Sequence, residues 1–192
     1  METLHRRSHA PMPIVAWCLL VLLGGAVLSV VYHTLKTGIS PLPSSRRARQ
    51  VMLSEIPADF SGTIVEPGSG WGSLAVPLAR RFPKATVIGY ELSPVPLFCS
   101  RLRRLGRCAN LRLHRADFRA VPLADADLVV CYLFPGAMRA LDEKLRRELR
   151  PGARVISNTF ALPNRKPVRV HRLPDIYATP IYIYEFGAQR VS

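Results

Sequence analysis

Cysteine and histidine are sparse in this sequence, and their scatter removes a class of function. Four cysteines (Cys18, Cys99, Cys108 and Cys131) and five histidines fall at none of the paired spacings that ligate a metal. No metal site is expected. The same cysteines do not form an extracellular disulfide framework, so reduced thiols in a cytosolic domain are the expectation. Acidic residues are also few, 13 against 27 lysines and arginines, for a net charge of +14. Only 4 of those cations are lysine and 23 are arginine, a bias that points to a GC-rich bacterial genome rather than to an activity. The cations are spread over many segments and no nucleic-acid-binding motif accompanies them, so nucleic acid is not the expected partner. There is no internal repeat and no low-complexity stretch.

One long apolar run stands out against this. From Ile14 to Tyr32, "IVAWCLLVLLGGAVLSVVY" holds nineteen residues without a charge. As a helix it spans about 28 Å, near the hydrocarbon thickness of a bilayer. The run reads as a retained transmembrane helix over residues 14–32, preceded by a short basic tail, 1–13. A cleaved signal peptide is the rival reading, but its apolar region would be shorter and would close on a small-x-small site. Arg6 and Arg7 flank the run on one side, and Lys36, Arg46, Arg47 and Arg49 on the other. The larger cluster puts the C-terminal bulk in the cytoplasm of a single-pass protein of a bacterial inner membrane. Without residues 1–36 the chain keeps 24 basic and 12 acidic side chains, a charge of +12. Such a domain is drawn to anionic headgroups, which makes the lipid bilayer an expected partner. Residues 33–45 form the linker; its ten-residue stretch "KTGISPLPSS" reaches at most about 35 Å.

Residues 46–192 read as one domain. Ser44 or Ser45 caps a helix through "RRARQVMLSEI", closed by Pro57. Strand-like and helical segments then alternate: "TIVE", "WGSLAVPLARRF", "TVIGYE", "PVPLFCSRLRRLG", "LRLHRAD", "ADLVVCYLF", "GAMRALDEKLRREL" and "ARVISNTF". This predicts an α/β domain with a mainly parallel, doubly wound, Rossmann-like sheet. Pro77 inside the first helix of the series implies a kink. The tail has two β-prone runs, "PVRVHRL" and "PIYIYEF", with no helix between them. An antiparallel hairpin closing one sheet edge fits. That ending separates the class I methyltransferase version of the architecture from the dinucleotide-binding one.

Three glycines at alternate positions, Gly68, Gly70 and Gly72, follow the first strand in "TIVEPGSGWGS". Ligands of open parallel sheets bind at that strand end, and glycine permits both a sharp turn and close backbone approach. The helix that follows offers unpaired N–H groups to an anion, either a methionine-type carboxylate or a pyrophosphate. The spacing is G-x-G-x-G, not the G-x-G-x-x-G of nicotinamide enzymes. Glu91 ends the second strand, where a carboxylate accepts from the two hydroxyls of a ribose or stands as a solvated acid. Asp117, after the third strand, is placed for an adenine amino group or for a turn. At the end of the fourth strand, Tyr132, Phe134 and Pro135 in "CYLFPG" are candidates to line an acceptor channel, where aromatic faces suit a sulfonium and an amine. Trp71 either closes over the ligand or packs on the surface.

Several of these segments together resemble a known family. "VIGYELSPVPLFCSRLRR", "ADFRAVPLADADLVVCYLFPGAM" and above all "LDEKLRRELRPGARVISNTFALP" are similar to membrane-anchored protein-lysine methyltransferases, whose mitochondrial members modify ATP synthase and the adenine nucleotide translocase. The likeness includes the N-terminal apolar run and covers most of residues 40–163. It implies that Glu66, Gly68, Gly70, Glu91 and Asp117 contact S-adenosylmethionine, with Gly72 in the same turn. The sequence departs from the family's D-x-G-S-G-D-G-R, which here is "EPGSGWGS": Glu66 is a longer acid, Trp71 stands for an acid and Ser73 for an arginine. The expected reaction is methyl transfer from S-adenosylmethionine to an amine, a lysine of a membrane protein. A lipid or small-molecule acceptor, or a non-catalytic module that binds the cofactor, are the alternatives.

Overall fold

The computed structural model describes residues 13–37, 44–106 and 108–187. The expected basic tail, apart from Pro13, and six residues of the expected linker lie outside them. Helix α1 spans Ile14–Thr37, five residues beyond the expected end of the apolar run. Its Ile14–Tyr32 stretch has a mean hydropathy of 2.7, and none of it is buried. By length and composition this helix is able to cross a bilayer.

Helix α2 (Arg46–Ser54) opens the domain, with Ser45 as its cap: the Ser45 hydroxyl accepts the Ala48 N–H at 3.1 Å. The remaining elements are β1 (Thr63–Pro67), α3 (Ala75–Arg81), β2 (Thr86–Glu91), α4 (Pro94–Arg104), β3 (Leu111–Arg115) and β4 (Leu128–Cys131). After these come α5 (Pro135–Glu148), β5 (Arg154–Asn158), β6 (Arg169–Arg172) and β7 (Pro180–Glu185). The sheet has seven strands in the order β3-β2-β1-β4-β5-β7-β6. Strands β1 to β5 are mutually parallel, β7 runs antiparallel to β5, and β6 pairs antiparallel with β7. The hairpin expected from the tail is there and closes one edge.

Burial follows from the layering. Strand β4, at the centre, is buried along its whole length, as a strand covered on both faces must be. One face carries α2, α3 and α4, through Met52, Leu74, Leu78, Phe82 and Leu97. The other is covered by α5, whose Met138, Leu141 and Leu145 meet Val65, Val129, Val155 and Tyr184. Each of these contacts is worth a few kcal/mol; truncating Leu141 to Ala would cost about 2–5 kcal/mol. No helix joins β3 to β4 or β5 to β6 among the described residues, so α5 covers its face with only loops beside it.

The kink expected at Pro77 does not arise. Helix α3 begins only at Ala75, after turns through residues 69–74. Pro77 therefore lies in the first helical turn, where its missing N–H would have had no partner in the helix anyway.

Candidate functional site

The order of the strands reverses between β1 and β4, parallel neighbours in the sheet whose connections run to opposite sides. A crevice opens there beyond the carboxyl ends of the strands. It encloses about 960 Å³, counting space open to solvent, and is lined among others by Glu66, Ser69, Gly70, Glu91, Asp117 and Tyr132.

The floor is the glycine turn. Gly68, Gly70 and Gly72 have φ of 71°, 51° and 72°, a left-handed conformation that side-chain-bearing residues resist. The turn is tied to β2 because the Gly68 and Ser69 N–H groups both donate to the Tyr90 carbonyl at 2.9 Å. Gly68 and Gly70 line the crevice, whereas Gly72 does not. A Cβ at Gly72 would lie 2.9 Å from the Ser100 Cβ, so the third glycine lets α4 pack closely against the turn.

Two carboxylates flank this floor in different states. Glu91 is held on both sides: Gly70 N–H donates to its Oε2 at 2.8 Å and Ser93 N–H to its Oε1 at 2.7 Å. Each oxygen keeps a further acceptor position, so two vicinal hydroxyls could still donate to it. Glu66 is buried and under-satisfied. Its Oε2 has no hydrogen-bond partner. Burial pushes its carboxyl well above the ordinary carboxylate range, the Ala75 N–H draws it partly back, and the negative charge of Glu91 pushes it up again. Ser69 beside it also has a buried hydroxyl without a partner.

The rim comes from the β3–β4 loop. Asp117 is half-buried and serves as a turn residue as well as a wall of the crevice. The Arg119 N–H donates to its Oδ1 at 2.9 Å, and the Arg119 guanidinium pairs with its Oδ2 at 2.7 Å. That guanidinium holds the Asp117 carboxyl below its usual range. Phe118, buried, adds an apolar wall.

Across the crevice only Tyr132 of the three expected acceptor residues lines the space. Phe134 caps α5, and Pro135 is the first residue of that helix, where its ring is favoured. Phe134 joins the site indirectly. Phe160 stacks on Tyr132 with centroids 6.4 Å apart and planes at 11°, and meets Phe134 at 5.6 Å. Thr159, before Phe160, has φ of 67°, a costly conformation for a β-branched residue that aims the chain back towards these rings. Trp71 lines the crevice, and its carbonyl accepts from the Arg103 guanidinium at 3.2 Å.

Ser44, Ser69, Phe118, Arg119 and Phe160 were not legible as site residues in the sequence. Ser44 is the clearest case: it reads as a helix cap, yet it is buried in the crevice wall and its hydroxyl accepts from Asn158 Nδ2 at 3.4 Å, 114 residues away. A strained Thr before an aromatic at a strand end is the one signal that could have marked Phe160.

Comparison with known proteins places this geometry. The model of the ANTKMT methyltransferase domain matches residues 66–169. The ATP synthase C-subunit lysine N-methyltransferase of Mus musculus is 31% identical over 193 residues, covering 91% of this chain and 73% of that protein. The adenine nucleotide translocase lysine N-methyltransferase of Mus musculus is 38% identical over 111 residues, covering 57% of this chain and 48% of that protein. The chain thus spans about half the length of that second relative. Among solved structures, an RNA methyltransferase from Salinibacter ruber in complex with S-adenosyl-L-homocysteine superposes with a TM-score of 0.69 at 23% identity, over 77% of this chain and 95% of that one. At that identity the likeness speaks for the fold.

Proposed function

Because the chain belongs to the ANTKMT methyltransferase domain family, we propose that its crevice binds S-adenosylmethionine and directs methyl transfer to a lysine of a membrane protein, from a position anchored by α1. The carrying observation is the unpartnered Glu66 Oε2, buried at the floor of a crevice whose other acids are already held, Glu91 by two N–H groups and Asp117 by Arg119. A buried carboxylate with its pKa pushed up calls for a cation. The α-ammonium group of the cofactor is such a cation, and the neighbouring Ser69 hydroxyl is free to donate to its carboxylate. Glu91 would accept from the ribose hydroxyls, and Asp117 and Phe118 would flank the adenine. The residues fit the cofactor.

When bound, S-adenosylmethionine supplies a methyl group made electrophilic by the sulfonium. The work left to this chain is placement and the exclusion of water. Tyr132, backed by Phe160, presents an aromatic face where an amine would enter. A lysine starts with a pKa near 10.4, and a half-buried aromatic channel beside a positive charge favours its neutral, nucleophilic form. A general base is then not required.

The names of the relatives support a component of ATP synthase and the adenine nucleotide translocase as models for the acceptor class, both membrane proteins. The long apolar helix, with no residue of its Ile14–Tyr32 stretch buried, supports the anchor, with the domain on the cytoplasmic side of a bacterial inner membrane. Residues 14–32 would be the anchor and 46–192 the methyltransferase domain. Tritiated S-adenosylmethionine added to membranes with the full chain should label a protein band at a lysine. Label in the lipid extract alone would replace the acceptor, and binding without turnover would make the chain a non-catalytic module.

A further inference from the structure

The β6–β7 connection, residues 173–179, turns two large apolar side chains outward: Ile176 is 92% and Tyr177 is 82% exposed. The loop is closed, not slack. Leu173 is buried and its N–H donates to the Thr179 carbonyl at 2.9 Å. The Thr179 N–H donates to Asp175 Oδ1, and the Ala178 N–H to the Asp175 carbonyl, each at 2.9 Å. Arg47 of α2 donates to the Pro174 carbonyl at 3.1 Å. A closed turn therefore fixes an aliphatic and an aromatic side chain in water, side by side, with nothing in the domain to cover them.

Their location is informative. Strand β7 is antiparallel to both β5 and β6, so β6 runs with the parallel strands and its following loop lies at their carboxyl ends. That is the edge where the crevice opens. The Thr159 N–H donates to the Pro180 carbonyl at 2.8 Å, and Asn158 reaches Ser44 in the crevice wall. The chain from α1 enters the domain at this same edge, since Ser44 follows Thr37 by seven residues, a reach of at most about 25 Å. Arg47, which donates to the loop, its chain neighbour Arg46, and Arg172, which precedes the loop, are exposed cations, with Asp175 the one acid within the turn.

We propose that this loop seats in the headgroup layer of an anionic bilayer, with Ile176 and Tyr177 entering the interface and Arg46, Arg47 and Arg172 meeting lipid phosphates. Tyrosine beside an aliphatic residue, rimmed by arginines, has the chemistry of an interfacial contact. The seating turns the mouth of the crevice toward the membrane, where the lysine of an embedded acceptor emerges. It rests on the reading of α1 as an anchor and adds an orientation to it.

The test uses the full chain in nanodiscs of about three parts phosphatidylcholine, brominated high on its acyl chains, to one part phosphatidylserine. Tyr177→Trp is combined with Trp17→Phe and Trp71→Phe, so that a single indole reports from the loop. Bromine should quench its emission about threefold relative to unbrominated discs, and adding Ile176→Glu should remove most of that quenching. A chain that enters the discs without quenching overturns the seating and leaves the anchor standing. A chain that stays out of the discs overturns the anchor and this orientation together. Emission indifferent to bromine but altered by a detergent extract of membrane proteins overturns it in favour of a protein partner.

Discussion

The two walls of the crevice are held by different means. At the ends of β1 and β2, the wall is backbone and carboxylate, fastened between immediate neighbours: Gly68 and Ser69 to Tyr90, Gly70 and Ser93 to Glu91. The opposite wall, at the ends of β4 and β5, is aromatic, and its flanking loops are fastened from below by one helix. Asp142 of α5, fully buried, accepts from the Asn164 N–H at 3.2 Å and from its side-chain amide at 3.0 Å, which fixes the β5–β6 connection. Lys144 donates to the Arg119 carbonyl at 3.3 Å and to Glu148 at 2.6 Å, and Glu148 accepts the Leu123 N–H at 2.9 Å, which fixes the β3–β4 loop. The "LDEKLRREL" segment is thus a set of interior fastenings. The first wall fits a ligand common to many methyltransferases; in the proposed function the aromatic rings of the second face the acceptor.

The strongest way to break this division is Glu91→Ala. It removes a carboxylate that gathers two backbone N–H groups and the proposed ribose contact, so affinity for S-adenosylhomocysteine should fall about a hundredfold or more by calorimetry. Fold stability should fall by only a few kcal/mol, because those N–H groups can turn to water. Ligand affinity left unchanged would sink the cofactor assignment.

Glu66→Gln comes next and should act in opposite directions on two readouts. The folded pKa of Glu66 lies above its ordinary value, so the native state holds that proton more tightly than the unfolded chain does. This group's contribution to ligand-free stability therefore declines as pH rises from the ordinary carboxylate value towards the raised one. The Gln variant escapes that loss, so its ligand-free melting temperature at neutral pH should exceed that of the parent. Its affinity for S-adenosylhomocysteine should nevertheless drop about tenfold, the ammonium partner having gone. The two changes together distinguish a ligand-directed acid from a merely buried one.

Phe160→Ala sharpens the comparison from the other wall. Cofactor affinity should stay within a factor of two, while KM for the acceptor rises about fivefold, because Tyr132 loses the ring that holds its face towards the amine. A larger loss of cofactor affinity than of acceptor affinity would contradict the separation of the walls. The smallest effect is expected from Arg119→Met. Its pair with Asp117 is more than half exposed on the arginine side, and such pairs contribute about 1 kcal/mol or less. The Asp117 carboxyl should titrate at a higher pH by NMR, with a barely altered affinity.

The first wall was the more legible in sequence for a physical reason. A turn needing positive φ declares itself through Gly68, Gly70 and Gly72, and a strand-end acid through the apolar run before Glu91; both signals are local. The mainly parallel sheet and the closing hairpin followed from alternation and from the missing helix before "PIYIYEF"; the order of the strands did not. Ser44 and Phe160 were opaque because their placement depends on contacts across the fold, Ser44 with Asn158 and Phe160 with Tyr132 and Phe134. The start of α3 was misjudged because the helical reading was carried back through "WGSL", which the glycine turn consumes before the helix can begin.

The single helix beneath two loops has a mechanical result. Asn164 on one side and Arg119 on the other hang from residues two positions apart on α5, like two hooks on one rail. A sub-ångström slide of that rail would carry the β3–β4 and β5–β6 loops the same way, leaving the gap between them largely constant. Reach across that gap is then a property of α5, and the loops can exchange residues without resetting it.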